Sequence, residues 1–433
     1  MKLNPLLLIT GLLLSTGTTY ARDARQQPAA PPGDTLHLPL SLAEKRFLDS
    51  NLVLLAGRYN IGIAQAEVIT ARLYNNPELT VENVLFNPDN SKWLDLGWTG
   101  NNIAELTQVI TLAGKRNKAI RLAESGVKLS EHEFYDLLRT LRYTLRDDFF
   151  RVYFGSRSLR LYDQQISSLQ QILGIFDEQL RKGNIAASEV LRIQSLLYNL
   201  QSERSELQRE LQETITELKT LTRVPPATPL IPIWDEPGAG FRPLHALHFQ
   251  QVLDSALINR QDLLAAREGV RYEQLNEQLQ KALAVPDLTV GLTYDKQGNF
   301  TRNYNGLQLS MPLPFFNRNQ GNIRQAGQRV AQSKVLLLGK EEALSQEVMQ
   351  HYLTASQTEQ LFANIDTSFQ DRFSSLIEEA RNNYMRRNIS MLQFLDLYNS
   401  YKETLTGLDD IRYHRYRALE SLNYIAGAQL IQF

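Results

Sequence analysis

The chain has 433 residues, 43% of them hydrophobic, with 46 basic and 47 acidic side chains and a formal charge of −1. That balance offers no field for nucleic acid, so no nucleic-acid partner is expected. The absence of cysteine excludes disulfides, thiolate metal sites, cysteine catalysis and a lipid-modified N-terminal cysteine.

The N-terminus reads as a signal peptide over residues 1–21. Lys2 precedes an apolar run from Leu6 to Leu14, and small residues lead to Thr19-Tyr20-Ala21. The run is too short for a membrane anchor, which needs about 20 apolar residues. No later segment reads as a transmembrane helix, so entry into a membrane would have to use β-structure. Residues 22–39, rich in Gln, Ala and Pro, read as a flexible leader.

Proline then divides the chain. None occurs between Pro88 and Pro225 or after Pro314, and proline costs a helix interior about 3 kcal/mol. Within these gaps apolar residues recur every three or four positions, as in Ile166, Leu169, Leu173, Phe176 and Leu180, and again in Phe394, Tyr398, Tyr401, Leu405 and Leu408. The pattern predicts helices over 41–75, 115–182, 188–222, 246–284, 321–385 and 390–427. The second would be roughly 100 Å long at ~1.5 Å per residue. Two shorter helices stacked end to end match each long one in length. Gly126, Gly155 and Gly174 mark places where the long helix is expected to bend.

Four short segments break the helical pattern. In Pro286-Asp287-Leu288-Thr289-Val290-Gly291-Leu292-Thr293-Tyr294 the apolar residues alternate with small or polar ones, the signature of a two-faced strand. Pro77-Glu78-Leu79-Thr80-Val81 repeats it 209 residues earlier. Strands are expected over 78–86, 103–112, 287–295 and 304–312, as two hairpins turning at Asn87-Pro88-Asp89-Asn90 and near Gln297-Gly298-Asn299. The helical turns match as well, Gly183-Asn184-Ile185 against Arg387-Asn388-Ile389. The chain is therefore an internal duplication. Residues 40–223 form the first repeat (strands about 78–112), 224–243 a connector, and 244–433 the second repeat (strands about 287–313).

Open sheet edges do not survive in lipid, and the smallest membrane barrels have about eight strands. Four strands per chain therefore require an oligomer, and three chains give twelve. Leu288, Val290, Leu292, Leu307, Leu309 and Met311 are the expected lipid-facing set. Thr289, Gly291 and Thr293 would face a water-filled lumen. Trp93, Trp98, Phe300 and Tyr304 fall near strand ends, where aromatic belts belong. A soluble sheet capping a periplasmic coiled coil, acting as a scaffold without a pore, is the competing reading.

The signal peptide, the duplicated halves, the proline-led strands and the segment Ser310-Met311-Pro312-Leu313-Pro314-Phe315-Phe316-Asn317 together resemble the bacterial outer-membrane efflux proteins. These are TolC-like channels, and the chain looks most like the heavy-metal cation branch. The resemblance implies a mainly α fold with a membrane β-barrel: a homotrimer whose 12-stranded barrel stands on a long periplasmic α-helical barrel, girdled midway by a small mixed domain to which the connector over 224–243 belongs. It implies a passive conduit in the outer-membrane lipid, docked to a periplasmic adaptor (membrane fusion) protein and an inner-membrane transporter of the resistance-nodulation-division type. Drug or protein export is the alternative cargo. The resemblance places a gate at the helical tips. There Ser188 and Glu189 match the hydroxyl and acidic positions, Tyr384 the tyrosine and Asp396 one acid of a ring. Gln393 stands where a second acid is expected and Ile389 where a base is, with Arg386 and Arg387 nearby. No enzymatic constellation is evident and no cofactor or metal site is expected: His245 and His248 have ligand-like spacing without a third ligand beyond Asp254.

Overall fold

The computed structural model describes residues 35–87, 91–97, 100–237, 241, 243–298, 301–366 and 369–432. The predicted signal peptide, most of the leader, the loop at Pro88–Asn90, Trp98 and Phe300 lie outside the described residues.

In chain order the elements are β1 (Leu36–Pro39), α1 (Leu40–Ser50), α2 (Leu52–Arg72), β2 (Glu78–Asn83), β3 (Phe86–Asn87), β4 (Lys92–Trp93) and β5 (Asn102–Ile110). Then follow α3 (Lys115–Arg181), α4 (Ala187–Thr222), β6 (Leu230–Ile233), a 3-10 turn (Pro243–Ala246), α5 (Phe249–Asn259) and α6 (Gln261–Leu283). The chain finishes with β7 (Leu288–Asp295), β8 (Tyr304–Ser310), α7 (Gln320–Ala363), α8 (Phe369–Met385) and α9 (Met391–Ala426). Both α2 and α4 pack against α3, and α6 and α9 against α7, with α9 continuing along α8. The end-to-end stacking expected from helix lengths is therefore present in each half.

Several expectations need correction. The helix expected over 41–75 breaks at Asn51 and the one over 246–284 breaks at Arg260, each a single residue with extended backbone. Asn51 accepts the amides of Val53 and Leu54, so its side chain caps the helix it starts. Arg260 is held by Asp262 and Glu347, both at 2.7 Å. The helix expected over 321–385 is two helices, separated after Ala363. No proline or glycine marks any of these breaks. The leader expectation fails at its end, because Leu36–Pro39 pairs in parallel with Leu230–Ile233 of the connector. Conversely, α3 runs through Gly126, Gly155 and Gly174 without interruption. Gly155 serves packing instead: a β-carbon there would stand 2.5 Å from Leu211 of α4. Finally, α2 is long and apolar enough to cross a membrane by length and composition, contrary to the expectation that no later segment reads as a transmembrane helix.

Two cores hold the helices. The middle one gathers Leu38, Phe47, Phe149, Phe150, Val252, Val348 and Leu419, all at most 1% exposed. Within it the Arg415 guanidinium is almost fully buried. It pairs with Glu359 at 2.6 Å, donates to the Phe241 carbonyl and lies 4.0 Å from the Phe362 ring centroid. The second core lies toward the turns after α3 and α8 and contains Leu169, Ile193, Phe394 and Tyr398. Burial of apolar surface, at about 25 cal/mol per Å², is what ties the two helical hairpins together.

The four long strands form one antiparallel sheet in the order β2-β5-β7-β8. The hairpins of the two repeats thus join through β5 and β7. The helices beneath follow the same order, α2-α3-α6-α7. One protomer is a continuous strip, strands at one end and helices at the other. Its edges are β2 with α2 and β8 with α7.

Candidate functional site

The register of the sheet assigns its faces. Directly opposed residues share a face, and one row runs Leu79, Leu106, Leu292, Leu307 across all four strands. A second row pairs Val290 with Leu309, and a third sets Ile110 beside Leu288. Leu79, Leu292, Leu307 and Leu309 are between 58% and 68% exposed, far above what an apolar residue in a soluble sheet would show. Leu288 and Val290 are half-buried in the protomer. Met311 lies just past the end of β8 rather than within it, and is exposed.

The opposite face carries Glu78, Thr80, Glu82, Glu105, Thr107, Thr289, Gly291, Thr293, Asp295, Gln308 and Ser310. Four of these are carboxylates, and the strand residues on this face include no lysine or arginine. Glu105 lies across Gly291, its Oε1 3.4 Å from where a β-carbon would stand. The predicted division of Leu288, Val290 and Leu292 from Thr289, Gly291 and Thr293 is present, and the first hairpin adds most of the acid.

At the other end, two tight turns lie side by side. Gly183 ends α3 with φ +70°, and Arg387 takes the matching position after α8 with φ +63°. A non-glycine residue there is strained by about 1–2 kcal/mol. Arg387 spans the gap and donates to the Asn184 carbonyl of the first turn. Beside it the Tyr384 hydroxyl donates to Glu189 Oε2 at 3.3 Å. The Tyr384 ring is buried, stacked 4.9 Å from Phe394 and tilted against Phe176. Burial, and then the Glu189 charge, raise its hydroxyl pKa well above the usual tyrosine value. The two turns close on a cleft of about 200 Å³ lined by Ile175, Ile185, Glu189, Tyr384 and Arg387 among others.

The remaining tip residues divide differently from expectation. Gln393 is committed locally: its Oε1 accepts the Ser390 amide at 2.9 Å while Ser390 Oγ accepts the Gln393 amide, a capping box that starts α9. Ser188, Arg386 and Asp396 are exposed, with Asp396 on the side of α9 away from Phe394 and Tyr398. The contact sequence reading missed is Arg387 to Asn184, although the parallel between Gly183-Asn184 and Arg387-Asn388 held the clue. His248 starts α5, where its amide donates to Gln251. Among the described residues no group of three or more metal-ligating side chains is assembled.

The protomer is an elongated helical strip ending in an amphipathic four-stranded sheet with two open edges. The family model for outer membrane efflux proteins matches residues 252–428. The cobalt-zinc-cadmium resistance protein CzcC of Cupriavidus metallidurans is 24% identical over 318 residues, 72% of this chain and 70% of that protein. Among solved structures, CusC superposes with a TM-score of 0.71 at 19% identity, covering 91% of this chain and 94% of that one. The Campylobacter jejuni CmeC outer membrane channel gives 0.70 at 13% identity, covering 90% and 85%. The family match thus covers the second half of the chain, and over nine-tenths of its length the chain shares the fold of these outer membrane channels.

Proposed function

We propose that three copies close edge to edge, β8 and α7 of one against β2 and α2 of the next, into a 12-stranded barrel on a helical barrel. The observation that carries this is the matching order of strands and helices in one strip, with both edges open and apolar. Along α2, Leu52, Leu55, Tyr59, Ile63 and Ile69 are exposed, and on α7 so are Val335, Leu336 and Leu338. Covering these faces with a second copy explains why an apolar α2 is needed without placing it in lipid. The expected boundaries then become working units: a first repeat over 40–223, a connector over 224–243 that joins the girdle through β6, and a second repeat over 244–433.

The channel is the outer-membrane part of a tripartite system and passes substrate without using energy itself. A periplasmic adaptor and an inner-membrane transporter of the resistance-nodulation-division type complete it. Heavy-metal cations are the favoured cargo. The similarity to a cobalt-zinc-cadmium resistance protein supports that choice, as does an inner barrel face bearing Glu78, Glu82, Glu105 and Asp295. Twelve carboxylates in one trimer would raise the local concentration of cations and repel anions.

The tip acts as the gate. Tyr384 to Glu189 and Arg387 to Asn184 hold the second helical hairpin against the first within each chain. Ser188, Arg386 and Asp396, exposed in the protomer, are free to meet other copies at the axis, where like carboxylates repel. Planar-bilayer recording tests both readings. A cation-selective current that rises in the Asp396→Ala variant supports them; unchanged current and unchanged block by divalent cations remove Asp396 from the gate. Loss of zinc, cobalt or cadmium tolerance on deletion tests the cargo.

A further inference from the structure

Tyr135, Arg139, Arg142, Tyr143 and Arg146 recur every three or four residues, which puts them on one face of α3. The last turns of α9 pass this face. Gly427 ends α9 with φ +66°, and a β-carbon there would stand 2.9 Å from the Arg260 amide nitrogen. The chain leaving α9 is therefore pressed against the break between α5 and α6. Between this helix end and α3 lies a cleft of about 210 Å³. An apolar cavity of about 150 Å³ admits benzene, so the cleft has room for a ring and a few substituents. None of its lining residues belongs to α2 or α7, so closure along those edges does not use it.

Part of the lining is already committed. Arg139 donates to Asp136 at 2.6 Å and to the Tyr424 carbonyl at 2.7 Å, with its guanidinium 4.0 Å from the Tyr424 ring centroid. The Tyr143 ring lies 4.9 Å from the same ring, so this wall is aromatic and fixed. Two groups are not committed. Among the described residues Arg142 has one carboxylate within 4 Å, that of Glu44 at 3.9 Å, which is too long for a hydrogen bond and is shared with Arg146. Glu420 is 3% exposed and pairs with Arg146 at 3.0 Å, yet no donor is aligned on its buried Oε1. Burial pushes this carboxyl up to about 7, the mark of a charge short of donors. The cleft thus combines an unused guanidinium, an aromatic wall and a buried acceptor.

We infer that this cleft binds a small organic carboxylate that also carries a hydroxyl. The carboxylate meets Arg142, the body lies against Tyr143 and Tyr424, and the hydroxyl donates to Glu420. A bound ligand ties α3 of the first repeat to α9 of the second. The probe is 4-hydroxybenzoate, titrated calorimetrically into the detergent-solubilised oligomer. One saturable site per chain is expected, with benzoate binding about tenfold more weakly. The alcohol 4-hydroxybenzyl alcohol, which lacks the carboxylate, should show no saturable binding up to about 10 mM. Arg142→Gln should weaken 4-hydroxybenzoate about tenfold or more. It should leave the melting temperature at the parent value, because the Arg142 side chain is 44% exposed and its ion pair is long. Removing the hydroxyl from the ligand probes Glu420 without stranding Arg146. Benzoate binding as tightly as 4-hydroxybenzoate overturns the role given to Glu420. No saturable binding by the parent, equal binding of the alcohol, or equal affinity in Arg142→Gln overturns the site.

Discussion

Lys115, the first residue of α3, places its ammonium 2.7 Å from the carboxylate of Asp287, which precedes β7 in the other repeat. Asp287 also accepts the Leu112 amide at 3.0 Å. One carboxylate thus ties the end of β5 and the start of α3 to the start of β7, where sheet gives way to helix. The neighbouring junctions have their own ties: Arg116 reaches the Arg72 carbonyl at 2.8 Å, and Asn319 reaches the Gln280 carbonyl at 2.8 Å.

Removing this carboxylate leaves Lys115, only 10% exposed, without the acid that balances it. Asp287→Ala is expected to cost about 1–3 kcal/mol per chain, read as a lower melting temperature of the detergent-solubilised oligomer. The double variant Lys115→Met/Asp287→Leu should recover much of the loss, since it leaves no buried charge.

At the tip, conformation and contact can be separated at Arg387. Arg387→Gly relieves the strained positive φ but removes the link to Asn184; Arg387→Ala removes the link and keeps the strain. Both variants should raise single-channel conductance by a similar factor. The glycine variant should be more stable than the alanine variant by about 1 kcal/mol. Conductance equal to the parent in both would exclude Arg387 from the gate.

The strands were legible because alternation is a local signal. Leu288, Val290 and Leu292 announce their face without reference to the rest of the fold, and the register then aligns them with Leu307 and Leu309. The helix breaks were not legible. Arg260 adopts extended backbone because Asp262 and Glu347 hold its side chain, and Glu347 arrives from 87 residues away. β1 was hidden for a related reason: its partner β6 lies in the connector, and only pairing makes Leu36–Pro39 a strand. Gln393 misled in the opposite sense. Compared with an acid it looks like a lost function, yet Ser390-Met391-Leu392-Gln393 is a helix-start pattern readable in sequence.

Asp148 makes the middle of α3 sensitive to pH. It is 8% exposed, its Oδ2 has no hydrogen-bond partner, and burial, followed by the charges of Glu217 and Asp147, pushes its carboxyl up to about 8. The folded chain therefore keeps this proton while the unfolded chain releases it near the ordinary carboxylate value. Stability contributed at low pH is lost as pH rises toward about 8 and changes little beyond. Asp148→Asn should raise the melting temperature more at pH 8 than at pH 5. An equal shift at both would contradict a neutral buried carboxyl.

Adjacent residues of β7 should respond differently to the same charge. Val290→Asp puts a carboxylate on the apolar face and should sharply reduce the amount of inserted oligomer. Thr289→Asp adds to a face that already bears acids and should mainly change conductance and cation preference. Similar behaviour of the two would contradict the assignment of faces.

Edge-to-edge closure can be measured directly because the native chain has no cysteine. Thr80→Cys in β2 and Gln308→Cys in β8 place two thiols on the acidic face at opposite edges of one protomer's sheet. They stand three strand spacings apart, about 14 Å, too far for a short bismaleimide to join within a chain. Cross-linking of intact outer membranes should give a ladder ending at three chains, and neither single variant should reach three. A product confined to one chain, or a ladder ending at any other number, would contradict the trimeric barrel.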